Sequence, residues 1–412
     1  MAKTRPSNKS SKKRVKSGLG ANRSAPRKMI EDPAIFFDQA TVLLQTGQPE
    51  AALPLAQRGL DIASTGSSNV LLGLNLIGEI YVELGEIDAA REHFMRAVAL
   101  DPNGEISESE GGGAEKFLWL AQLNEAGGKD SVNWFEKGVA TLRRNIQSLE
   151  QSSKTDDALA AQEKKKKLAH ALCGVVEIYM TDLSKCRMLN RSFSIRWEED
   201  AEARCESLVT EALLVAPDSP ECLQTLASVR ISQLRHDDAR AALSRSLELW
   251  KDLPPESPLV PDFPTRISLS RLLMEAQMEI EALEVLERMA LEDDHSVEMW
   301  YLGGWCLYLL GKGEKLPPNK SDLSESELRQ ATLRSSRSWL KQSLKLYELV
   351  EYEDVKLKEH AEELVQDLQT QLGDVSDSDD GEDVGGEWED EGDGSDDDDD
   401  NVQGEDHKMT DS

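Results

Sequence analysis

Tyr301, Trp305 and Tyr308 stand at i, i+4 and i+7, a spacing that puts three aromatic rings on one stripe of a helix. Rings so placed either fill a core or line a surface that takes Lys and Arg side chains by cation–π contact. The residue types that carry catalysis are not arranged for it. The chain contains no G-x-x-x-x-G-K-[ST], no H-E-x-x-H and no G-x-S-x-G. Gly111, Gly112 and Gly113 follow no strand, so they do not make a phosphate-binding loop. His93, His170, His236, His295, His360 and His407 are scattered singly, without metal-ligand spacing. The Asp run at 396–400 is a flexible string of carboxylates that fixes no coordination geometry. Cys173, Cys186, Cys205, Cys222 and Cys306 are odd in number and lack C-x-x-C pairing, as expected of buried reduced thiols in an intracellular protein. No enzyme activity, cofactor or metal is expected, and the chemistry that remains is recognition.

The elements that position such residues are legible at 74–102, LNLIGEIYVELGEIDAAREHFMRAVALDP. Leu74, Ile77, Gly78 and Tyr81 share one face of a first helix, Gly85 sits in a turn, and Ala90, Phe94 and Ala97 share one face of a second. Gly78 and Ala90 are small because the helices approach closely, and Tyr81 and Phe94 fill the space beside them. Asp101 and Pro102 stop the second helix. Type and spacing resemble the tetratricopeptide (TPR) repeat, a helix–turn–helix of about 34 residues that buries its apolar face only by stacking on neighbours.

Weaker copies of the pattern run along the chain, giving repeats at 33–66, 71–104, 114–150, 165–217, 220–253, 263–294 and 297–349. A charged helix at 351–372 carries Val355, Leu357, Ala361, Leu364 and Leu368 on one stripe and is suited to cover the last apolar face. Asp32 and Pro33 open the first helix as cap and first-turn residue. Residues 105–113 read as a mobile Gly/Ser/Glu linker and 151–167 as a polar run ahead of the fourth repeat. Residues 184–197 interrupt that repeat, and the second helix of the seventh arrives only after 312–326. The expected fold is therefore an all-α superhelical solenoid of about seven helical hairpins (31–373), with a C-terminal capping helix and disordered termini.

Charge sharpens the reading. The chain holds 47 Lys and Arg against 78 Asp and Glu, a formal net charge of −31. Residues 1–28 hold ten Lys or Arg and no acid, whereas 374–412 hold nineteen acids and one Lys, so the body between them is acidic in its own right. An acidic body repels nucleic acid and attracts basic partners. In the basic arm (1–30), Lys12, Lys13, Arg14 and Lys16 form a candidate nuclear import signal or, alternatively, a phosphate-binding arm. In the acidic tail (374–412), Ser376, Ser378 and Ser395 sit in acidophilic kinase contexts. The tail itself either solubilises the protein or shields a basic client. No signal peptide is read at the N-terminus and no stretch of about 18 apolar residues occurs, so no membrane contact is expected.

The TPR resemblance implies which side chains line the concave face, because first helices do so at fixed repeat positions. Those positions hold Asn75, Glu79, Val82 and Glu83 in the second repeat, Glu115, Leu118, Gln122 and Glu125 in the third, and Glu298, Tyr301, Trp305 and Tyr308 in the seventh. An acidic groove with an aromatic end suits an extended Lys/Arg-rich peptide. For any one Glu, a solvated helix face is the competing reading. The Lys and Asn clamps of repeats that hold the acidic tails of heat-shock chaperones are replaced here by Glu, Gln and Leu.

The basic arm, the TPR body with VEIYMTDL at 176–183 and EEDAEARCESLVTEAL at 198–213, and the DVSDSDDGED tail together resemble the fungal dedicated assembly chaperones of large-subunit ribosomal protein L-four. In that family VEIYMTDL runs almost directly into the acidic segment, whereas residues 185–196 intervene here as an insertion or alternative exon. The resemblance implies capture of the client's long basic internal loop on the concave surface and protection from aggregation. It further implies delivery to nuclear pre-ribosomes by a protein shuttling between nucleus and cytoplasm, with an import receptor engaging the arm. Two other classes fit the charges: a histone or general basic-protein chaperone acting through the tail, and a TPR scaffold subunit of a larger complex.

Overall fold

The computed structural model describes residues 32–63, 68–124, 127–151, 155–189, 195–313, 316 and 324–373. Among them are fifteen α-helices, one 3-10 turn and no strand. They are α1 (Pro33–Gln45), α2 (Pro49–Ile62), α3 (Ser68–Glu83), α4 (Ile87–Leu100), α5 (Glu115–Gln122), α6 (Gly128–Glu150), α7 (Thr155–Leu189), α8 (Ile195–Val215), α9 (Pro220–Ser232), α10 (His236–Glu248), α11 (Phe263–Glu275), α12 (Glu279–Glu292), α13 (Val297–Lys312), α14 (Glu325–Leu349) and α15 (Val355–Leu372). None of the helices is long and apolar enough to cross a membrane. The chain divides into two compact units, residues 1–285 and 286–412.

In the first unit α1–α2, α3–α4, α5–α6, α7–α8 and α9–α10 pack as hairpins, and α9 also packs on α7 and α11. The interhelical approach at 74–102 is as close as its small residues require. A Cβ on Gly78 would lie 2.7 Å from the Phe94 ring, which is itself fully buried. Four of the turns, α1–α2, α3–α4, α9–α10 and α11–α12, share one hydrogen bond, from a residue opening the second helix to a carbonyl five residues back. Gln48 donates to Leu43 O (2.9 Å), Glu86 to Tyr81 O (2.9 Å), Arg235 to Arg230 O (2.8 Å) and Met278 to Leu273 O (2.9 Å). This closure needs a left-handed residue just before the donor, which is Gly85 (φ 74°) in the second turn. The later turns put Leu234 (φ 60°) and Gln277 (φ 62°) there instead, at roughly 1 kcal/mol of backbone strain each. Lacking glycine, those two turns are the least visible in the sequence. Several helix entries are capped by side chains: Asp32 accepts from Ala34 N (3.1 Å), Ser219 from Cys222 N (3.2 Å) and Asp262 from Thr265 N (3.0 Å).

Two segments differ from their sequence reading. Residues 105–113 are not a free linker. The Asp101 carboxylate, 3% exposed, accepts from the Glu105 and Ile106 N–H groups (2.8 and 3.4 Å) and from the Lys116 ammonium (2.8 Å). Lys116 also donates to Gly113 O (2.8 Å), and the Asn75 amide to Gly111 O (2.6 Å), so the loop is stapled to the body at both ends. A Gly/Ser/Glu composition signals mobility only where such partners are missing. The polar run 151–167 is likewise no connector, because its residues from Thr155 onward form the first third of α7. Helix α7 continues to Leu189 and α8 begins at Ile195, so most of the 184–197 interruption is helical, residues 190–194 lying outside the described residues.

In the second unit α13 packs on α14, and α15 packs across both. Ser324 and Glu327 form a reciprocal capping box at the start of α14. Helix α15 buries Leu357, Ala361, Leu364, Val365 and Leu368, and the last four join Leu333 and Leu340 in one cluster. That stripe does what a terminal helix must: it covers an apolar face with a charged back. Among the described residues, Cys173, Cys205, Cys222 and Cys306 are buried and form no disulfide.

Candidate functional site

Helices α3, α5 and α7 open successive repeats and bring their polar faces together in the first unit. Glu79 on α3 senses Glu115 on α5, and Lys167 on α7 forms an ion pair with Glu115. Lys164, one turn earlier, pairs with Glu108 of the stapled loop. Burial raises the Glu79 carboxyl to about 7, the like charge of Glu115 adds to the rise, and Lys167 opposes it. Burial lowers Lys167, but the hydrogen bond and charge of Glu115, with Glu108 and Glu79, outweigh it and hold the ammonium above its usual range. A carboxyl held near neutrality beside a second carboxylate is a site where an arriving cation displaces a proton.

Glu83 is exposed at the end of α3, and Gln122 is exposed at the end of α5. Asn75 donates its amide nitrogen to Gly111 O, while its Oδ1 is buried without a hydrogen-bond partner. Glu125 lies outside the described residues, as do Lys12, Lys13, Arg14 and Lys16 of the arm and Ser376, Ser378 and Ser395 of the tail. Lys164 and Lys167 escaped the sequence reading. Their signal in the sequence is the helical spacing that runs unbroken from Thr155 into Leu172, which the polarity of the run masks.

The aromatic stripe of α13 belongs to the second unit and is engaged there. The Tyr301 hydroxyl lies 2.7 Å from His360 Nδ1, and Trp305 meets the same imidazole edge-on with centroids 5.1 Å apart. Tyr308 donates to Asp367 Oδ2 (2.7 Å), to which Lys312 also pairs at 3.1 Å. The Tyr308 hydrogen bond, aided by Lys312, holds the Asp367 carboxyl below its ordinary value. His360 and Asp367 both lie on α15, so of the two uses open to this stripe the rings serve packing against the terminal helix. Glu298 is half-buried in the first turn of α13.

Glu79 supplies a test of this geometry. Its folded-state pKa lies above the ordinary 4.5, so the stability it contributes is full below about 4.5 and is lost as pH rises through about 7. Glu79→Gln removes that loss. The variant should gain about 1–3 kcal/mol over the parent between pH 5 and pH 8, a range discounted for partial solvent access from 1.36 kcal/mol per pKa unit. Urea unfolding at both pH values measures it, and a difference that does not change with pH would show that Glu79 is normally hydrated.

Comparison with known proteins agrees with the fold and supplies the family. The model for "Tetratricopeptide repeat" matches residues 73–103. A solved structure, the assembly chaperone of RpL4 (Acl4), residues 1–338, superposes with a TM-score of 0.61 at 50% identity, covering 68% of this chain and 98% of that one. The probable assembly chaperone of rpl4 of Emericella nidulans is 57% identical over 418 residues, spanning 100% of both chains. The chain belongs to the family of rpl4 assembly chaperones. The probable assembly chaperone of rpl4 of Schizosaccharomyces pombe is 32% identical over 318 residues, covering 77% of this chain and 85% of its own.

Proposed function

We propose that this protein is a dedicated chaperone that binds the newly made ribosomal protein rpl4, keeps it soluble and delivers it for large-subunit assembly. The observation that carries the reading is the juxtaposition of Glu79, Glu83 and Glu115 on consecutive first helices, an acidic face suited to a Lys/Arg-rich segment, in a chain that matches over its full length a relative bearing that chaperone's name. The function is binding: the Glu79 carboxyl, held near neutrality, exchanges a proton for a client cation, and no further chemistry is needed. The client's long basic internal loop is the segment whose charge fits such a face.

The acidic tail is assigned an accessory role. A dense run of carboxylates acts at long range, and its pull fades once the screening length shrinks to about 8 Å at physiological salt. Purified full-length protein should form an equimolar complex with rpl4 at that salt, and a chain ending at Gly373 should keep most of the affinity while associating more slowly. Loss of the complex on truncation would favour the tail-driven chaperone of histones and other basic proteins. Phosphorylation at Ser376, Ser378 or Ser395 would deepen the tail's charge.

Nuclear delivery is assigned to the arm, with an import receptor as its partner and shuttling between cytoplasm and nucleus as its consequence. Replacing Lys12, Lys13, Arg14 and Lys16 by Ala in a fluorescent fusion should shift the protein to the cytoplasm. Unchanged nuclear accumulation would leave the arm to phosphate contacts.

A further inference from the structure

Cys173 and Cys222 stand in the first helices of consecutive repeats, α7 and α9, which pack on each other. Their sulfurs are 3.6 Å apart, the Cys173 thiol donating to Cys222 Sγ. Both residues are nearly removed from water, at 4% and 1% exposure. Cys173 nonetheless forms part of the wall of a cavity of about 830 Å³ bordered by α5, α6, α7, α9 and α11. Cys222 lies in the first turn of α9, where its N–H donates to the Ser219 hydroxyl oxygen (3.2 Å) and the helix end favours negative charge. The hydrogen bond from Cys173 holds the Cys222 thiol below its ordinary value, Ser219 assisting and burial opposing. The same bond and burial hold the Cys173 thiol above its own. Loss of one proton therefore leaves a single negative charge shared by the two sulfurs. Cys205 belongs to the same core cluster, where burial pushes its thiol up to about 11.

The sulfurs of a disulfide are ~2.05 Å apart, and with the two helices already in contact a side-chain movement closes the gap. The cavity wall selects the oxidant. Glu177 and Glu221 line it beside Cys173, so a bulky anion such as glutathione disulfide is repelled, whereas a small neutral peroxide is not. We propose that Cys173 and Cys222 are a peroxide-sensitive dithiol whose disulfide staples the fourth repeat to the fifth. The Cys173 sulfur takes up the shared charge and attacks one oxygen of hydrogen peroxide. The O–O bond breaks, a sulfenic acid forms on Cys173, and the departing hydroxide takes up the proton lost earlier and leaves as water. The Cys222 sulfur then displaces the oxygen held by Cys173, forming the S–S bond and releasing a second water that carries the Cys222 proton. Two thiols give up two electrons and two protons, and one peroxide becomes two waters. Reducing surroundings keep the pair as thiols, so the staple forms only when peroxide rises. It links positions 49 residues apart and encloses α8, which restricts the unfolded chain.

The test uses the full-length protein, folded and well below its melting temperature. It is treated with hydrogen peroxide or, separately, with glutathione disulfide, alkylated under denaturing conditions, and analysed by intact mass and non-reducing peptide mapping. Peroxide should remove the mass of two hydrogen atoms and yield a crosslink between the Cys173 and Cys222 peptides that dithiothreitol reverses. Glutathione disulfide should form it at least tenfold more slowly. The oxidised parent should melt about 5 °C or more above its reduced form. In Cys173→Ser and Cys222→Ser the same treatment should leave the melting temperature where it was. The mapping is made on the parent chain, so it does not depend on the variants folding. If peroxide leaves both thiols open to alkylation, or the crosslink maps to another pair of cysteines, the dithiol assignment is overturned. A crosslink at Cys173 and Cys222 that forms as fast with glutathione disulfide overturns the peroxide selectivity, and one that leaves melting unchanged overturns the staple.

Discussion

Lys116→Met should destabilise the first unit by about 3–5 kcal/mol, the range for breaking a buried ion pair from one side. Lys116 and Asp101 are 2.8 Å apart, with side chains 0% and 3% exposed. Their titration bears on the pair in opposite senses. Burial lowers the Lys116 ammonium by more than Asp101 restores, whereas the Asp101 carboxyl, which burial alone would raise, is held below its usual value by Lys116 and the Glu105 and Ile106 N–H groups. The geometry supports the second sense: the carboxylate has its hydrogen bonds in place and depends on that ammonium. The intact pair therefore adds little net stability, because desolvation offsets attraction, yet its removal strands a buried charge. Methionine keeps most of the lysine volume, which confines the loss to electrostatics. Without Lys116 the Asp101 carboxyl should rise above its unfolded value, so the deficit of the variant should shrink as pH falls toward 4. Denaturant unfolding measures the deficit, and faster hydrogen exchange at the Glu105 and Ile106 amides would locate it in the loop. A deficit below about 1 kcal/mol would mean that the loop is held by its backbone contacts alone.

Joint replacement of Glu79 and Glu83 by Lys should weaken rpl4 binding by about 10- to 100-fold, taking roughly 0.7–1.4 kcal/mol per reversed charge on a partly desolvated face. Circular dichroism should stay helical, because both side chains lie on the polar face of α3. Glu115 is better left in place, since Lys167 already occupies it and a reversal there would set two ammonium groups together. That pairing supplies a control of opposite sign. Lys167→Gln frees the Glu115 carboxylate and should strengthen binding a few-fold. Binding isotherms at physiological salt distinguish the cases. Undiminished affinity in the double reversal, or weakened affinity in Lys167→Gln, would move the client contact away from this face.

Much of the architecture is local and therefore legible in the chain. Gly78, Gly85, Ala90 and Phe94 specify a hairpin because helix approach and turn closure depend on residues within about 20 positions of one another. The apolar stripe of α15 announces a covering helix for the same reason. The acidity of Glu79, Glu83 and Glu115 could be read once the repeat frame was set, since a frame assigns faces. What tertiary structure alone decided is which of these faces is already occupied. The stripe of Tyr301, Trp305 and Tyr308 reads equally as core or groove until α15 brings His360 and Asp367, some 59 residues away, to their polar ends. Asn75 reads as a groove residue until Gly111 takes its amide, and Glu115 as a free acid until Lys167 reaches it from 52 residues on. Periodicity states which way a side chain faces. Desolvation and pairing depend on what arrives opposite, and that is set by stacking between repeats.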